Sequence, residues 1–153
     1  MIGDGPMARL CQKIVARAGV GGAVRLTGWC GNHSVRQAMS RHDVYVQHSV
    51  TSRRGDMEGW PVSIAEAAGA AMPIVATRHA GIVDQIRNGV EGFLVDPLDW
   101  RAMAERMIRL ADDPDLRTAM GNAARDRMVQ TTVDRQIGLL RGVLNGAGTP
   151  PPS

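Results

Sequence analysis

The sequence has few aromatic residues and little net charge, and each shortage excludes a class of partner. Phe, Trp and Tyr make up 3% of the 153 residues, too few to build a platform on which bases of single-stranded nucleic acid stack. Eighteen Lys and Arg against 15 Asp and Glu leave a formal charge of +3, and the basic residues are scattered along the chain. We therefore expect no nucleic-acid partner.

Cysteine and long apolar runs are also scarce. The two cysteines, Cys11 and Cys30, are too few for a disulfide framework or a four-cysteine zinc site. The histidines share no metal-ligand spacing, so the sequence predicts no metal. It contains no run of about 18 apolar residues, as a transmembrane helix needs, and its first residues lack the charged and apolar regions of a signal peptide. These features are typical of a cytoplasmic protein with reduced thiols.

Helix and strand patterns alternate along most of the chain after a strand stub at the start. Short apolar runs bounded by glycine and other turn residues predict the strands, and parallel strands buried on both faces are expected to be such runs. The alternation predicts an α/β domain with a doubly wound, Rossmann-like parallel sheet. The predicted strands are 23–27, 43–46, 73–77 and 92–95; the predicted helices are 6–18, 32–41 with Asn32 as N-cap, 61–71 with Pro61 as first residue, 83–87, 100–111 with Asp99 as N-cap, one beginning at 113–114, and 132–144.

Ligands of open α/β sheets bind beyond the carboxyl ends of the strands, near helix N-termini. Four glycine-containing loops are predicted there, at 3–6, 28–32, 47–61 and 77–83. The helix that begins at Pro61 offers free N–H groups and the positive end of its dipole, which together favour a phosphate. Glycine loops also occur in α/β proteins that bind no phosphate, so glycine alone leaves both interpretations open.

Glu66 is the one charged residue between Gly59 and Thr77. Burial of an unpaired carboxylate is costly, so Glu66 is expected to face a polar partner or a solvent-filled cleft. A carboxylate can accept two hydrogen bonds side by side, which suits the two hydroxyls of a ribose. The alternative is a glutamate on the exposed rim of an apolar helix.

Glu58 lies just before the same helix, eight positions ahead of Glu66. The two carboxylates flank the start of the helix, so one suits a sugar and the other a ribose, with a diphosphate at the N–H groups between them. Paired carboxylates also serve as general acid and base on a glycosidic bond. Hydrolases of that kind are seldom doubly wound, so this alternative ranks lower.

The segment Glu58–Glu66 resembles the Glu–seven residues–Glu motif of the family 4 (group 1) glycosyltransferases. The loop 55–59 is similar to that of members that build exopolysaccharide or lipopolysaccharide. Each further match is weak alone, but their order and spacing make the resemblance specific. The other segments that resemble successive signatures of the family are 3–6, 24–28, 43–46, 73–77 and 89–95.

This resemblance implies a two-domain GT-B architecture, of which the chain is the C-terminal, donor-binding half. Residues 1–145 are expected to form the donor domain, and 146–153, rich in proline, a disordered tail. The first strands of the domain, the acceptor domain and the family's diphosphate-binding Arg and Lys are expected to lie outside this sequence. The fragment alone is therefore expected to be inactive.

The resemblance also implies roles for individual residues. Glu58 would contact the transferred sugar or the developing charge and is the expected catalytic residue, and Glu66 would bind the donor ribose. The residues expected to border the sugar, the diphosphate or the nucleotide are Gly5, Gly28, Trp29, Gly59, Trp60, Pro61 and Val62.

The implied reaction is retaining transfer of a sugar from a nucleotide-diphosphate sugar to a glycan or lipid-linked acceptor, in cell-surface polysaccharide synthesis. It resembles chemistry that uses no metal and no other cofactor, with a helix dipole and basic side chains stabilising the departing diphosphate. The absent half would bind the acceptor and associate peripherally with the membrane. The alternatives are a domain like that of a nucleotide-sugar 2-epimerase and a non-catalytic nucleotide-sugar-binding module.

The sequence departs from the family pattern at the end of the helix that carries Glu66. Family members usually have a left-handed Gly five residues after that glutamate, whereas this chain has Ala71. An alanine in the left-handed region costs roughly 1 kcal/mol. The sequence therefore predicts either a different turn here or a mildly strained one.

Overall fold

A computed structural model describes residues 1–52, 55, 57, 59–131, 137, 138 and 141. The chain forms two compact units, Met1–Arg41 and His42–Ser153. Most of the predicted helix 132–144 and all of the predicted tail 146–153 lie outside the described residues.

The first unit contains two helices, α1 (Ala8–Arg17) and α2 (Asn32–Met39). The predicted strand 23–27 is wrong, because no strand is assigned there. The N–H groups of Ala23 and Val24 bond to the nearby Val20 carbonyl, and the remaining backbone bonds of the segment go to Met1: its amino group donates to the Arg25 carbonyl at 2.6 Å, and its carbonyl accepts from the Thr27 N–H at 3.1 Å. A strand needs a ladder of several partners, and two bonds to Met1 provide too short a ladder.

The N-caps of two helices, α2 and the helix that follows Pro61, lie one residue from their predicted positions. Gly31, with an extended ψ of 158°, is the N-cap of α2, so Asn32 is the first helical residue and not the cap. Pro61 is the N-cap of helix α3 (Val62–Gly69) rather than its first residue, because its φ of −63° suits a helix but its ψ of 110° is extended. Neither helix has a side-chain cap.

The second unit is built on a three-stranded parallel sheet, in which β1 (Tyr45–Gln47) pairs with β2 (Ile74–Thr77) and β2 pairs with β3 (Gly92–Val95). Val46 pairs with Val75, which in turn pairs with Phe93. All residues of β2 and β3 are buried, as expected for parallel strands covered on both faces. The predicted α/β class with a parallel sheet is confirmed. The elements are β1 (Tyr45–Gln47), α3 (Val62–Gly69), β2 (Ile74–Thr77), α4 (Ile82–Gln85), β3 (Gly92–Val95), α5 (Trp100–Asp112) and α6 (Pro114–Val129).

The last two helices pack on this sheet and begin at aspartates. Asp99 accepts a hydrogen bond from the Ala102 N–H at 2.9 Å, which confirms it as the N-cap of α5, and Asp113 caps α6 in the same way. On α5, Met103 is buried, whereas Trp100 is 62% exposed. The main core cluster is Val75, Phe93, Val95, Met103, Leu110 and Met120.

The turn between α4 and β3 encloses a buried carboxylate. Glu91 is fully buried. Its carboxylate accepts three hydrogen bonds from Arg87: from the backbone N–H at 2.7 Å, from the side-chain Nε at 2.8 Å and from a terminal guanidinium nitrogen. The hydrogen bond to Glu91, and then the charge of Glu91, raise the pKa of Arg87. The Asn88 side chain accepts from the Leu94 N–H at 2.9 Å, and Gly89 has a φ of 84°. Asn88 and Gly89 thus form a turn that leads into β3.

The end of α3 has the strained form of the predicted turn. Ala71 has a φ of 58°, in the left-handed region where an L-residue with a Cβ is disfavoured. Its N–H bonds to the Ala68 carbonyl at 2.9 Å, and the Met72 N–H bonds to the Ala67 carbonyl at 3.1 Å. These bonds satisfy carbonyls at the helix end, so the turn keeps the geometry of a glycine terminus with an alanine in place.

Candidate functional site

The start of α3 presents free hydrogen-bond donors. Residues Gly59–Pro61, which we call the Gly59 turn, lead into the helix, and Pro61 provides no side-chain cap. Within the described part of the chain, the N–H groups of Val62 and Ser63 have no hydrogen-bond partner. Trp60 is 48% exposed and Val62 66% exposed. Free N–H groups at the positive end of a helix dipole favour the binding of an anion.

Glu66 lies one turn further along the same helix. It is half-buried, and its carboxylate has no hydrogen-bond or ion-pair partner among the residues that the structure describes. Its Cα lies about 6 Å along the helix axis from that of Val62, and helical side chains tilt toward the N-terminus. The start of α3 therefore combines free donors in its first turn with a free acceptor group one turn later. Glu58, the expected catalytic residue, lies outside the described residues.

A polar network ties the first turn of α3 to the end of β1. The amide oxygen of Gln47 accepts hydrogen bonds from the Ser63 hydroxyl at 3.1 Å and from the Tyr45 hydroxyl at 2.8 Å. The amide nitrogen of Gln47 donates to the Ser49 hydroxyl at 3.1 Å. Gln47 thus links the start of α3 to the carboxyl end of β1, which limits how far the helix can move.

The same network continues to β2. The Thr77 hydroxyl is fully buried, accepts from the Ser49 N–H at 2.9 Å and donates to the Ser49 carbonyl at 2.7 Å. The carboxyl ends of β1 and β2 are therefore joined where ligands of such sheets bind. Sequence reasoning missed these supporting residues. The available signal was a run of polar residues directly after apolar strands.

The loop after β2 touches the backbone of the Gly59 turn. A Cβ placed on Gly81 would lie 1.6 Å from the carbonyl oxygen of Gly59 and 2.8 Å from its carbonyl carbon. Only glycine permits so close an approach of two backbones. Gly81 therefore fixes where the Gly59 turn can lie.

Three predicted site residues belong to the first unit. Gly5 and Gly28 line one cavity of about 220 Å³, together with Asp4 and Cys11. Gly28 has a φ of 70° and accepts a hydrogen bond from the Gly3 N–H at 2.8 Å. Trp29 does not line this cavity and is 79% exposed.

The described residues contain neither a metal-binding cluster nor a membrane-spanning helix. Among them, no three or more His, Cys, Asp or Glu side chains are grouped so that they could hold a metal ion. Nor does any helix in this part of the chain have the length and apolarity to cross a membrane.

The parallel sheet, with the start of α3 tied to the carboxyl end of β1, defines an α/β domain, and the solved structures that share its fold are GT-B glycosyltransferases. The chain belongs to the group 1 glycosyltransferases: the family model described as "Glycosyl transferases group 1" matches residues 1–127. This result confirms the family that the motifs resemble.

Sequence relatives and solved structures agree with this assignment. WcaL of Escherichia coli K12, a glycosyltransferase assigned to colanic acid biosynthesis, is 30% identical over 145 residues, which cover 92% of this chain and 36% of WcaL. Anabaena HepE, solved with UDP and glucose, has a TM-score of 0.76 at 22% identity, covering 93% of this chain and 39% of HepE. The C-terminal domain of the group 1 protein LpcC from Francisella tularensis has a TM-score of 0.68 at 21% identity, covering 81% of this chain and 60% of that domain. The chain thus spans about a third of the length of WcaL.

Proposed function

We propose that this chain is the donor-binding part of a glycosyltransferase that acts in cell-surface polysaccharide synthesis, and that it binds a nucleotide-diphosphate sugar. The observation that carries the proposal is the start of α3, where the unpartnered N–H groups of Val62 and Ser63 lie one turn before the unpartnered carboxylate of Glu66. The donors suit a diphosphate. The carboxylate suits the ribose hydroxyls.

Family membership and the relatives support the reaction class. WcaL is assigned to colanic acid biosynthesis and HepE was solved with UDP and glucose, so we extend a nucleotide-sugar donor and a glycan or lipid-linked acceptor to this chain. Glu58 is the proposed catalytic residue. The cytoplasmic location and the peripheral membrane association remain predictions.

The proposed transfer retains the configuration at the sugar C1 and uses no metal. The bond between C1 and the phosphate oxygen breaks, and its electron pair goes to the departing diphosphate. The acceptor hydroxyl oxygen bonds to C1 on the same face, and its proton passes to the diphosphate. The N-terminus of α3 stabilises the negative charge that develops on the leaving group. Because the chain spans 36% of WcaL, we propose that it binds the donor but does not catalyse transfer by itself.

The test is calorimetric titration of the chain with UDP, GDP, UDP-glucose and GDP-mannose. We expect one nucleotide series to bind, and Glu66→Ala to weaken it about ten- to a hundredfold, since a hydrogen bond to a charged group contributes about 1.5–3 kcal/mol. Alanine is a good helix former, so the variant is expected to stay folded.

The matched control is Glu105→Ala, which removes an exposed carboxylate from α5. It is expected to bind with the wild-type Kd. A wild-type chain that binds none of these nucleotides would contradict the donor-site proposal. Equal affinity in Glu66→Ala and the wild type would show that Glu66 does not contribute to nucleotide binding.

A further inference from the structure

Two unsatisfied polar atoms lie on one short segment behind the Gly59 turn. In the described part of the chain, the buried side-chain polar atoms without a hydrogen-bond partner are Nε2 of His79 and Oε1 of Gln85. Such atoms are rare in native proteins, and each requires a physical explanation. Both belong to the segment 79–85, which contains Gly81 and α4.

Gln85 reaches the start of α3 through its other amide atom. Its side chain is fully buried, and its Nε2 donates to the carbonyl oxygen of Pro61 at 3.4 Å, a long hydrogen bond. The same carbonyl accepts from the Ile64 N–H at 3.2 Å, within the first turn of the helix. Gln85 therefore contacts the residue that sets the direction of the free N–H groups, and it does so from the buried side.

α4 is held on its other side by α6. Arg127 donates from Nε to the Gln85 carbonyl and from a terminal guanidinium nitrogen to the Asp84 carbonyl, both at 2.7 Å. A helix of four residues is too short to be stable alone, so these bonds fix its position. Gly81 contacts the Gly59 carbonyl at the other end of the segment. The segment is thus anchored to α6 and meets the Gly59 turn at two points.

The amide of Gln85 is unfavourable for stability at this place. Its buried Oε1 has lost its hydrogen bonds to water and gains none from described residues, which lowers the stability of the fold. A methionine of similar length would fill the same space without an unpaired oxygen. The contact to the Pro61 carbonyl is what the amide adds over an apolar side chain.

We propose that Gln85 is a positioning residue for the Gly59 turn, holding the Pro61 carbonyl so that the free N–H groups of Val62 and Ser63 face the donor diphosphate. This inference rests on the proposed donor-binding function. Loss of the amide is therefore expected to leave the Tm unchanged or to raise it, and to weaken nucleotide binding. Loss of a residue that only supported the fold would lower the Tm and leave the Kd unchanged.

The test compares Gln85→Met with the wild-type chain by thermal unfolding and by titration with UDP and GDP. We expect an unchanged or higher Tm together with a Kd for the bound nucleotide that is about two- to tenfold weaker, as the loss of one hydrogen bond predicts. Hydrogen exchange in the ligand-free protein is a second measurement. The Ile64 amide should exchange faster in the variant, because its acceptor, the Pro61 carbonyl, is held less firmly.

The control is Ile82→Val, which shortens a fully buried side chain of the same helix without removing a polar contact. It should lower the Tm and leave the Kd unchanged. A Gln85→Met chain that binds the nucleotide as tightly as the wild type overturns the inference. A lower Tm or failure to fold also overturns it, because Gln85 would then be a structural residue. If the wild-type chain binds no nucleotide, the proposed function fails as well, which the wild-type titration shows before any variant is measured.

Discussion

The Cα of Gly121 in α6 packs against the carbonyl oxygen of Ala71, the residue at the end of α3. A Cβ on Gly121 would lie 2.1 Å from that oxygen and 3.0 Å from the carbonyl carbon. Ala71 itself has a left-handed φ of 58°. The helix that carries the candidate site is therefore fixed at its far end by a backbone contact and a strained turn, and both can be tested by single substitutions.

Ala71→Gly is expected to stabilise the protein. Glycine adopts the left-handed conformation without the penalty that a Cβ brings, although its greater freedom in the unfolded chain offsets part of the gain. We expect the free energy of unfolding to rise by about 0.5–1 kcal/mol, measured by urea denaturation. The matched control is Ala104→Gly inside α5, where the same change should lower stability by about 1 kcal/mol. A loss of stability in Ala71→Gly would show that the turn is not strained.

Gly121→Ala is expected to destabilise the protein, although alanine is the better helix former. The added methyl would overlap a backbone carbonyl that cannot rotate away, and overpacking of this kind costs about 1–3 kcal/mol. Thermal unfolding measures the effect. Gly69→Ala, where a Cβ meets no atom within 4 Å, is the control and should be neutral or slightly stabilising. Equal Tm values for the two variants would contradict the close contact between α3 and α6.

Gly81→Ala is expected to weaken nucleotide binding. Its Cβ would lie 1.6 Å from the Gly59 carbonyl oxygen, so the Gly59 turn must shift away and carry the free N–H groups with it. We expect a Kd at least about tenfold weaker, since a misplacement of about 1 Å is enough to lose oriented contacts. Titration with the nucleotide that the wild-type chain binds measures this. Gly69→Ala again serves as control, and an unchanged Kd in Gly81→Ala would show that the position of the turn does not govern binding.

Local chemistry was sufficient to predict many of the elements. The run Gly92–Val95 is apolar and bounded by turn residues, and it forms β3 with the predicted bounds. Asp99 caps α5 because its side chain reaches an N–H three residues ahead, a contact that depends only on neighbouring backbone. The strand prediction for 23–27 was wrong because a strand does not depend on local sequence alone. It forms only where another segment supplies a ladder of backbone hydrogen bonds.

The candidate site was predictable only in part. The lone charge of Glu66 in an apolar segment and the start of a helix near Pro61 can both be read along the chain. The contact of Gln85 with Pro61 joins residues 24 positions apart, and no local pattern indicates it. The roles predicted for Glu58, Glu66 and the glycines remain predictions.

The sequence by itself determined the family, the alternation of strands and helices, and the carboxylate one turn inside α3, because motif spacing and hydrophobic pattern act between near neighbours. The tertiary structure decided what holds that helix in place: Gln47 beneath its first turn, Gly81 and Gln85 behind the Gly59 turn, and Gly121 against its end. Each of these contacts depends on two segments that are separated in the sequence meeting at atomic distance. That distance follows from how the whole chain packs, and it cannot be derived from either segment alone.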